Sequence, residues 1–327
     1  MPILPRLAGG AMRGRTTGRM PPTLMPLNEE VPLLSRRTML LTPLALAALR
    51  GVSSAQGRMT LAMHQNTSSG AGYRGSLEGW ARAGIRHVEL NAGLVDDFLT
   101  TDSLAAARRV LTDNGLTPVS GSVGVGRLWE PNPDHDTALD TLRARCEMFA
   151  ELGLERVYAS TGTNGEFTED DYDRGIENMR MAGDVAREFD LIMMIEFIRN
   201  STFISTLTTT LRMTRAAGNV SPMLDFYHFL SGLSGLEDLD LIRPGEIAHV
   251  HFQDVPDIPR ELLTGRTRAI PGDGIAPVSR VLQTLADKGY TGALSVELFL
   301  YQQVDPYELA VEIREKAEPV MRDAGVL

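Results

Sequence analysis

Four ionisable residues, each set among apolar neighbours, could together hold a metal ion. They are Glu196 in "MMIEF", Asp225 in "MLDFY", His251 in "AHVHFQD" and Glu297 in "LSVELF". Any one of them could pair with an arginine, but unpaired charges in such settings are costly, and close carboxylates repel one another and take up protons. One divalent cation would remove that cost for all four. Three carboxylates and one imidazole favour Mn²⁺ or Mg²⁺ and are compatible with Co²⁺ or Zn²⁺.

Other polar residues are predicted to line the same site and to contact a substrate. His228 follows Asp225 by three residues, and Arg268 lies in a long segment rich in proline and glycine. His64 and Asn66 close an apolar run near the start of the alternating pattern. Long segments of this kind in compact domains are usually functional or disordered.

Some residues near these positions leave two interpretations open. Glu89 ends another apolar run, and His249 shares a strand face with His251 because side chains alternate along a strand. His249 is interpreted as a core histidine, or else as a residue that supports the ligands. Trp129, in a proline-rich segment, could line the pocket, and Arg260 and Arg266 could be solvated or face the site.

Apolar runs that alternate with amphipathic stretches predict the elements that position these residues. The pattern indicates eight strand–helix units, as in a (β/α)₈ TIM barrel of the α/β class, whose active sites lie at the carboxyl ends of the strands. A doubly wound open sheet is less favoured, because the chain lacks a phosphate-binding glycine fingerprint. The predicted strands cover residues 59–65, 87–91, 117–123, 156–161, 191–197, 221–226, 247–253 and 292–299.

Residues 1–55 differ from the rest and are predicted to form a twin-arginine signal region, which leaves 56–327 for the barrel. Ser35, Arg36 and Arg37 precede a short apolar stretch, and Ser53-Ser54-Ala55 offers small residues for cleavage. The stretch is too short to span a bilayer. We therefore expect a periplasmic or secreted protein without stable membrane anchoring; the alternative is a tail with a surface helix.

Charge and composition argue against several classes of protein. Seven of the 32 Lys and Arg residues and two of the 42 Asp and Glu residues precede residue 56, so the remainder carries a net charge of −15. Such a surface repels phosphate backbones, which argues against nucleic acid as a partner. No lysine ends a predicted strand, so a Schiff-base aldolase is disfavoured. Cys146 is the only cysteine, so no intrachain disulfide can form.

Residues 60–320 resemble the xylose-isomerase-like barrels, the sugar isomerase/epimerase superfamily, and the resemblance is specific from residue 190 onward. Within it, "LDFYHF", "HFQDVPDIPRELLTGRTRAIPGDG" and "GYTGALSVELF" are most similar to 2-keto-myo-inositol (inosose) isomerases. The resemblance implies that Glu196, Asp225, His251 and Glu297 are the metal ligands. Ala276 and Pro277 stand where members often carry an acidic residue, and an export signal is unusual for inositol catabolism.

The resemblance implies proton transfer next to a carbonyl group, through an enediolate. A metal ion would polarise the carbonyl, while Glu196 and Glu297 would serve as catalytic acid and base on a keto-sugar or cyclitol substrate. The sequence leaves open a lyase or dehydratase acting on keto-sugars or 3-keto-glycosides, and an exported sugar-binding protein on an inactive barrel. A homo-oligomer is compatible with all three readings.

Overall fold

Eight short parallel strands form a closed barrel in residues 58–327, the part of the chain that the computed structural model describes. The barrel closes where β8 pairs with β1, with Ala293 opposite Thr60. The predicted α/β barrel is therefore confirmed, whereas the predicted signal region lies outside the described residues. The strands are β1 (Thr60–His64), β2 (His87–Asn91), β3 (Thr117–Ser122), β4 (Arg156–Ser160), β5 (Ile192–Glu196), β6 (Val220–Asp225), β7 (His249–His251) and β8 (Ala293–Val296).

Helices follow the strands and cover the outside of the barrel. Local signals set their ends: Thr168 and Asp171 form a capping box at the start of α5, and Gly218 ends α6 in the left-handed conformation with φ of 82°. The helices are α1 (Gly72–Arg82), α2 (Ala92–Leu99), α3 (Leu104–Asp113), α4 (His135–Glu151), α5 (Glu169–Arg187), α6 (Leu207–Ala217), α7 (Phe226–Ser231), α8 (Val278–Asp287) and α9 (Pro306–Asp323).

The strand register brings the predicted ligands to one end of the barrel. Glu196, Asp225 and His251 are the last residues of their strands, and Glu297 directly follows β8. Asp225 and His251 lie opposite each other in the ladder between β6 and β7. All four therefore lie at the carboxyl ends of consecutive strands, the end where TIM barrels place their chemistry.

The observed β7 is shorter than the predicted run of 247–253. It covers only His249–His251 because the chain leaves the barrel wall at Phe252 and begins a long loop. Asp254 then forms an isolated antiparallel bridge with Ala269, so the loop pairs with itself rather than extending the strand.

Both tryptophans are core residues. Trp80 on α1 is fully buried and its indole N–H donates to the Ser68 hydroxyl over 3.2 Å. Trp129 is also fully buried and donates to the Ala159 carbonyl oxygen over 3.2 Å. Trp129 therefore does not line an open pocket, because its side chain is fully buried. Within residues 58–327, no helix has the length and apolar character needed to cross a bilayer.

Candidate metal centre

Glu196, Asp225, His251 and Glu297 meet at the mouth of the barrel, and all four side chains are buried. The Nδ1 atom of His251 lies 2.9 Å from Glu196 Oε1 and 3.4 Å from both Asp225 Oδ2 and Glu297 Oε2. The imidazole thus turns Nδ1, not Nε2, towards the three carboxylates.

This arrangement fits a single divalent cation. One ligand atom from each of the four residues lies within 4.8 Å of all the others. Ligands bound at about 2.0 to 2.4 Å cannot be more than roughly 4.8 Å apart, so one ion could reach all four. The buried carboxylates also need positive charge, which a divalent ion supplies.

Arg268 lies against the same carboxylates. Its guanidinium forms ion pairs with Glu297 Oε2 and, over 3.3 Å, with Asp225 Oδ2. The group stacks on the Phe299 ring, with its central carbon 4.6 Å from the ring centroid. Burial alone would lower the pKa of Arg268, but Glu297 and Asp225 outweigh burial and raise that pKa.

The loop after β7 delivers Arg268 to the site, and Asp254 holds the loop closed. The buried Asp254 carboxylate accepts backbone N–H bonds from Val255, Gly272 and Ala276 at 2.8, 3.2 and 3.0 Å. Gly274 packs so closely on Asp254 that an added Cβ would lie 2.3 Å from its carboxylate oxygen. The loop after β7 is therefore irregular in conformation, but the Asp254 carboxylate fixes its two ends to each other.

His228 is placed by Asp225, a predicted metal ligand that caps α7. Asp225 Oδ1 accepts the backbone N–H of His228 over 2.7 Å, and Arg268 donates to His228 Nε2 over 2.9 Å. Burial lowers the pKa of His228 to about 4. His228 is therefore neutral near pH 7 and lies beside the predicted ligands.

Asn66 and His64 reach the cluster from the other side of the mouth. The Asn66 amide donates to Glu297 Oε1 over 2.8 Å, and its oxygen accepts from the Asn91 amide over 3.1 Å. His64 Nδ1 accepts the Asn66 backbone N–H over 2.9 Å, so the proton of neutral His64 is on Nε2, 3.1 Å from the Tyr158 hydroxyl. Asn66 therefore contacts the predicted ligand Glu297 directly, whereas both nitrogens of His64 already have protein partners.

Two residues at the site, Tyr158 and Gln253, were not predicted from the sequence. Tyr158 lies on β4 with its ring 5.3 Å from that of His251, and Gln253 donates to Asp225 Oδ2 over 2.8 Å. A tyrosine inside an apolar strand is usually read as core. The position of Gln253 two residues after His251 could have indicated that it shares the strand face of that ligand.

A second group of ionisable residues lies deeper in the barrel. His64, Glu89 and His251 bring ligand atoms within 4.8 Å of one another. Glu89 Oε2 lies 2.9 Å from His249 Nε2 and 3.2 Å from His251 Nε2. His251 therefore belongs to both groups, with one ring nitrogen facing each. Arg260 and Arg266, by contrast, remain exposed.

The two glutamates of the cluster differ in their electrostatic surroundings. Burial raises the pKa of Glu196 to about 7, despite the opposing effect of His251. Burial also acts to raise the pKa of Glu297, but the Arg268 guanidinium and His251 outweigh it and hold the pKa of Glu297 below its ordinary value. Without a bound cation, Glu196 can therefore exchange a proton near neutral pH, whereas Glu297 is held ionised.

Comparison with known proteins identifies similar sequences and folds. A family model described as a xylose isomerase-like TIM barrel matches residues 78–323. Inosose isomerase from Halalkalibacterium halodurans is 31% identical over 132 residues, which are 39% of this chain and 46% of that protein. Inosose isomerase from Bacillus licheniformis is 26% identical over 185 residues, 54% of this chain and 65% of that protein. The matches thus span about half to two thirds of these relatives.

Solved structures share the barrel over most of their length. The IOLI protein with a bound zinc atom superposes with a TM-score of 0.72 at 21% identity, covering 81% of this chain and 98% of that one. D-psicose 3-epimerase, solved in the presence of D-fructose, superposes with a TM-score of 0.64 at 18% identity, covering 82% and 99%. At these identities the likeness establishes the fold.

Proposed function

Because this chain belongs to the xylose isomerase-like TIM barrel family, we propose that it is a divalent-metal-dependent isomerase or epimerase of keto-sugars or cyclitols. The observation that carries the proposal is the buried group of three carboxylates and one imidazole at the barrel mouth. The curated relatives named inosose isomerase and the fold shared with D-psicose 3-epimerase support the same class of substrate.

Glu196, Asp225, His251 and Glu297 would hold the ion. When bound, a divalent ion supplies Lewis acidity towards a carbonyl oxygen and its neighbouring hydroxyl. The four donor atoms suit Mn²⁺ or Mg²⁺, because three of them are carboxylate oxygens.

Glu196 and Glu297 would move the proton. Glu196 would take a proton from carbon and give it back. Burial raises the pKa of Glu196 to about 7 in the metal-free protein, and a bound cation would lower that pKa and favour the ionised form that acts as a base. Glu297, held ionised beside Arg268 and Asn66, would act on the neighbouring carbon or the opposite face.

Arg268 and His228 would hold the oxygens of the substrate. Among residues 58–327 the buried Nε atom of Arg268 has no hydrogen-bond partner, so one donor of its guanidinium is unused there. His228 is neutral, and its Nε2 accepts from Arg268 while its Nδ1 lies 3.4 Å from the Arg199 backbone nitrogen. His228 would therefore hold Arg268 in place and would reach a substrate oxygen only by exchanging one of these contacts. His64, whose nitrogens are already bonded, would shape the wall and keep Asn66 in place.

Proton exchange followed by NMR tests this proposal. The metal-stripped protein of residues 56–327 would be loaded with Mg²⁺ and incubated in D₂O with inososes, ketohexoses and 3-keto-glucosides. We expect deuterium at the carbon next to the carbonyl, with the carbon skeleton intact and no exchange after the metal is removed. Absence of exchange with every substrate, despite one bound metal per chain, would contradict the proposal and favour a binding protein.

The same experiment separates isomerases from lyases. An enolate can also expel a substituent on the next carbon, which would give an unsaturated carbonyl that absorbs in the ultraviolet. Release of a leaving group from a 3-keto-glucoside would therefore assign the protein to the lyases or dehydratases.

We also propose export by the twin-arginine route, on the basis of Ser35-Arg36-Arg37 and the apolar stretch that follows. Export of a folded protein would let the barrel take its metal before leaving the cytoplasm. Fractionation of cells that express the full chain tests this, because replacing Arg36 and Arg37 by Lys should retain the protein in the cytoplasm. Equal export of both forms would contradict it.

A further inference from the structure

Two of the described groups of ionisable residues share His251, and only one of them suits a cation. His251 Nδ1 faces Glu196, Asp225 and Glu297, whereas Nε2 faces Glu89. The third member of the deeper group, His64, has Nδ1 bonded to the Asn66 backbone and Nε2 beside the Tyr158 hydroxyl. It has no free nitrogen to offer, so the deeper group is not a second metal site.

From this geometry we infer that Glu89 is a positioning residue for the metal: it fixes the His251 ring so that Nδ1 faces the ion. A ring nitrogen that binds a cation must be unprotonated, so neutral His251 then carries its proton on Nε2. Glu89 Oε2 lies 3.2 Å from that nitrogen. A carboxylate that accepts this proton sets both the tautomer and the orientation of the ring.

Glu89 is itself held in place. Its Oε2 atom is 2.9 Å from His249 Nε2, so His249, the other histidine of β7, contacts Glu89 while His251 faces the ligands. The exposed fraction of Glu89 is 0%, and a buried carboxylate keeps its charge only when such partners surround it. Because the two histidines are two residues apart on one strand, both rings point into the barrel, and a nitrogen of each lies close to Glu89 Oε2.

Two buried atoms at the contact between His251 and Glu89 have no hydrogen-bond partner in the described residues, so a shorter hydrogen bond can form there. Within residues 58–327, His251 Nε2 and Glu89 Oε1 are both buried without a hydrogen-bond partner. With Nδ1 bound to a cation, Nε2 would carry the proton and donate it, and the Glu89 carboxylate would accept it. Buried polar groups in native proteins are rarely left unpaired. We expect the ring to align its Nε2–H on the Glu89 carboxylate when Nδ1 turns to a cation.

Metal affinity, measured without substrate, tests the inference. It rests on the metal site of the proposed function but not on the reaction. Mn²⁺ would be titrated into metal-stripped wild-type, Glu89→Gln and Glu130→Gln proteins in competition with a chelator. Glu130 is the matched control, because its side chain is also buried but lies near Arg127 rather than the histidines.

We expect Glu89→Gln to bind Mn²⁺ about 10 to 100 times more weakly than wild type, and Glu130→Gln to bind it equally well. Equal binding by Glu89→Gln, or an equal loss in Glu130→Gln, would overturn the role of Glu89. A wild-type protein that binds no metal would instead overturn the proposed metal-dependent function itself. Failure of that function is therefore distinguishable from failure of the role given to Glu89.

A spectroscopic measurement excludes a loss due only to misfolding. In the Co²⁺-loaded wild type, the Nε2–H of a histidine bound through Nδ1 should give a hyperfine-shifted proton signal that exchanges slowly with solvent. In Glu89→Gln saturated with Co²⁺, that proton should exchange faster, while the folded spectrum elsewhere is unchanged. An unaltered exchange rate would contradict a hydrogen bond between His251 and Glu89.

Discussion

The two halves of the barrel mouth contribute in different ways. The half built from β5 to β8 supplies all four residues of the candidate metal cluster. The half built from β1 to β4 supplies none of them, but Asn66, Glu89 and Tyr158 touch the cluster or its immediate neighbours. The half from β5 to β8 therefore supplies the clustered carboxylates and the imidazole, and the half from β1 to β4 supplies residues that contact and orient them.

The two halves differ in the interactions that stabilise their buried polar residues. Buried carboxylates such as Asp225 and Glu297 are stable only with cations nearby, here Arg268 and the proposed metal. The supporting half relies mostly on single hydrogen bonds, which contribute about 1 kcal/mol each when neutral and about twice that to a charged group. Changes in the ligand half should therefore have larger effects than changes in the supporting half.

The largest effect is expected from Glu297→Gln. It removes a proposed proton carrier and a proposed ligand, and it leaves Arg268 without its strongest partner. Isomerisation should slow by about 10² to 10⁴-fold, the usual contribution of a positioned acid or base. Turnover would be compared with metal content per chain, and full turnover at normal metal content would refute the assigned role.

A smaller but still large effect is expected from pH on metal binding. A cation binds the ionised carboxylate, and burial raises the pKa of Glu196 to about 7 in the metal-free protein, so below that pH a proton must be displaced. The pKa of His251 is also raised, because Glu89, Glu297 and Glu196 outweigh the effect of burial. Mn²⁺ affinity should therefore fall by about a hundredfold or more from pH 7 to 5, since one displaced proton costs tenfold per pH unit.

Titration of Mn²⁺ at several pH values would measure this dependence. The Glu196→Gln protein, although a weaker binder, should show a shallower pH dependence because one displaced proton is gone. An affinity that stays constant between pH 5 and 7 would contradict the electrostatic description of the ligand half.

In the supporting half, Asn66→Ala should have an intermediate effect. It removes the amide that donates to Glu297 Oε1 over 2.8 Å. A hydrogen bond to a charged group contributes about 1.5 to 3 kcal/mol, so we expect turnover to fall by about 10- to 150-fold. Asn178→Ala is the control, because this buried amide bonds only the Trp129 and Glu130 carbonyl oxygens and its loss should cost stability alone.

The smallest effect is expected from Tyr158→Phe. It leaves His64 Nε2 without its partner at 3.1 Å, which should destabilise the fold by about 1 to 3 kcal/mol and slow turnover only a few-fold. Tyr73→Phe removes a hydroxyl that donates to the Ala107 carbonyl oxygen and should lower stability without changing turnover. Thermal unfolding would measure the stability of the two variants, and steady-state rates would measure their turnover. A loss of turnover in Tyr158→Phe as large as that in Glu297→Gln would contradict the distinction between the two halves.

The fold and the four clustered residues could be predicted from the sequence for a physical reason. Alternating apolar runs and amphipathic stretches specify a (β/α)₈ barrel, and parallel strands of one barrel end at one mouth. Charged residues that end consecutive apolar strands, such as Asp225 and Glu297, are then brought to the same mouth, where they need a shared source of positive charge. Their roles as ligands stay predictions, although the structure brings their donor atoms together.

The supporting contacts could not be predicted, because they depend on distances between strands far apart in the chain. Tyr158 lies 94 residues from His64, and Glu89 lies 160 residues from His249, so no local pattern indicates either pair. Trp129 illustrates the converse: its proline-rich surroundings suggested a pocket wall, yet the ring is buried. The sequence alone determined which side chains bear charge and at which end of the barrel they lie. Only the tertiary structure decided which nitrogen of His251 faces the carboxylates and which faces Glu89, because ring orientation follows from packing across the closed barrel.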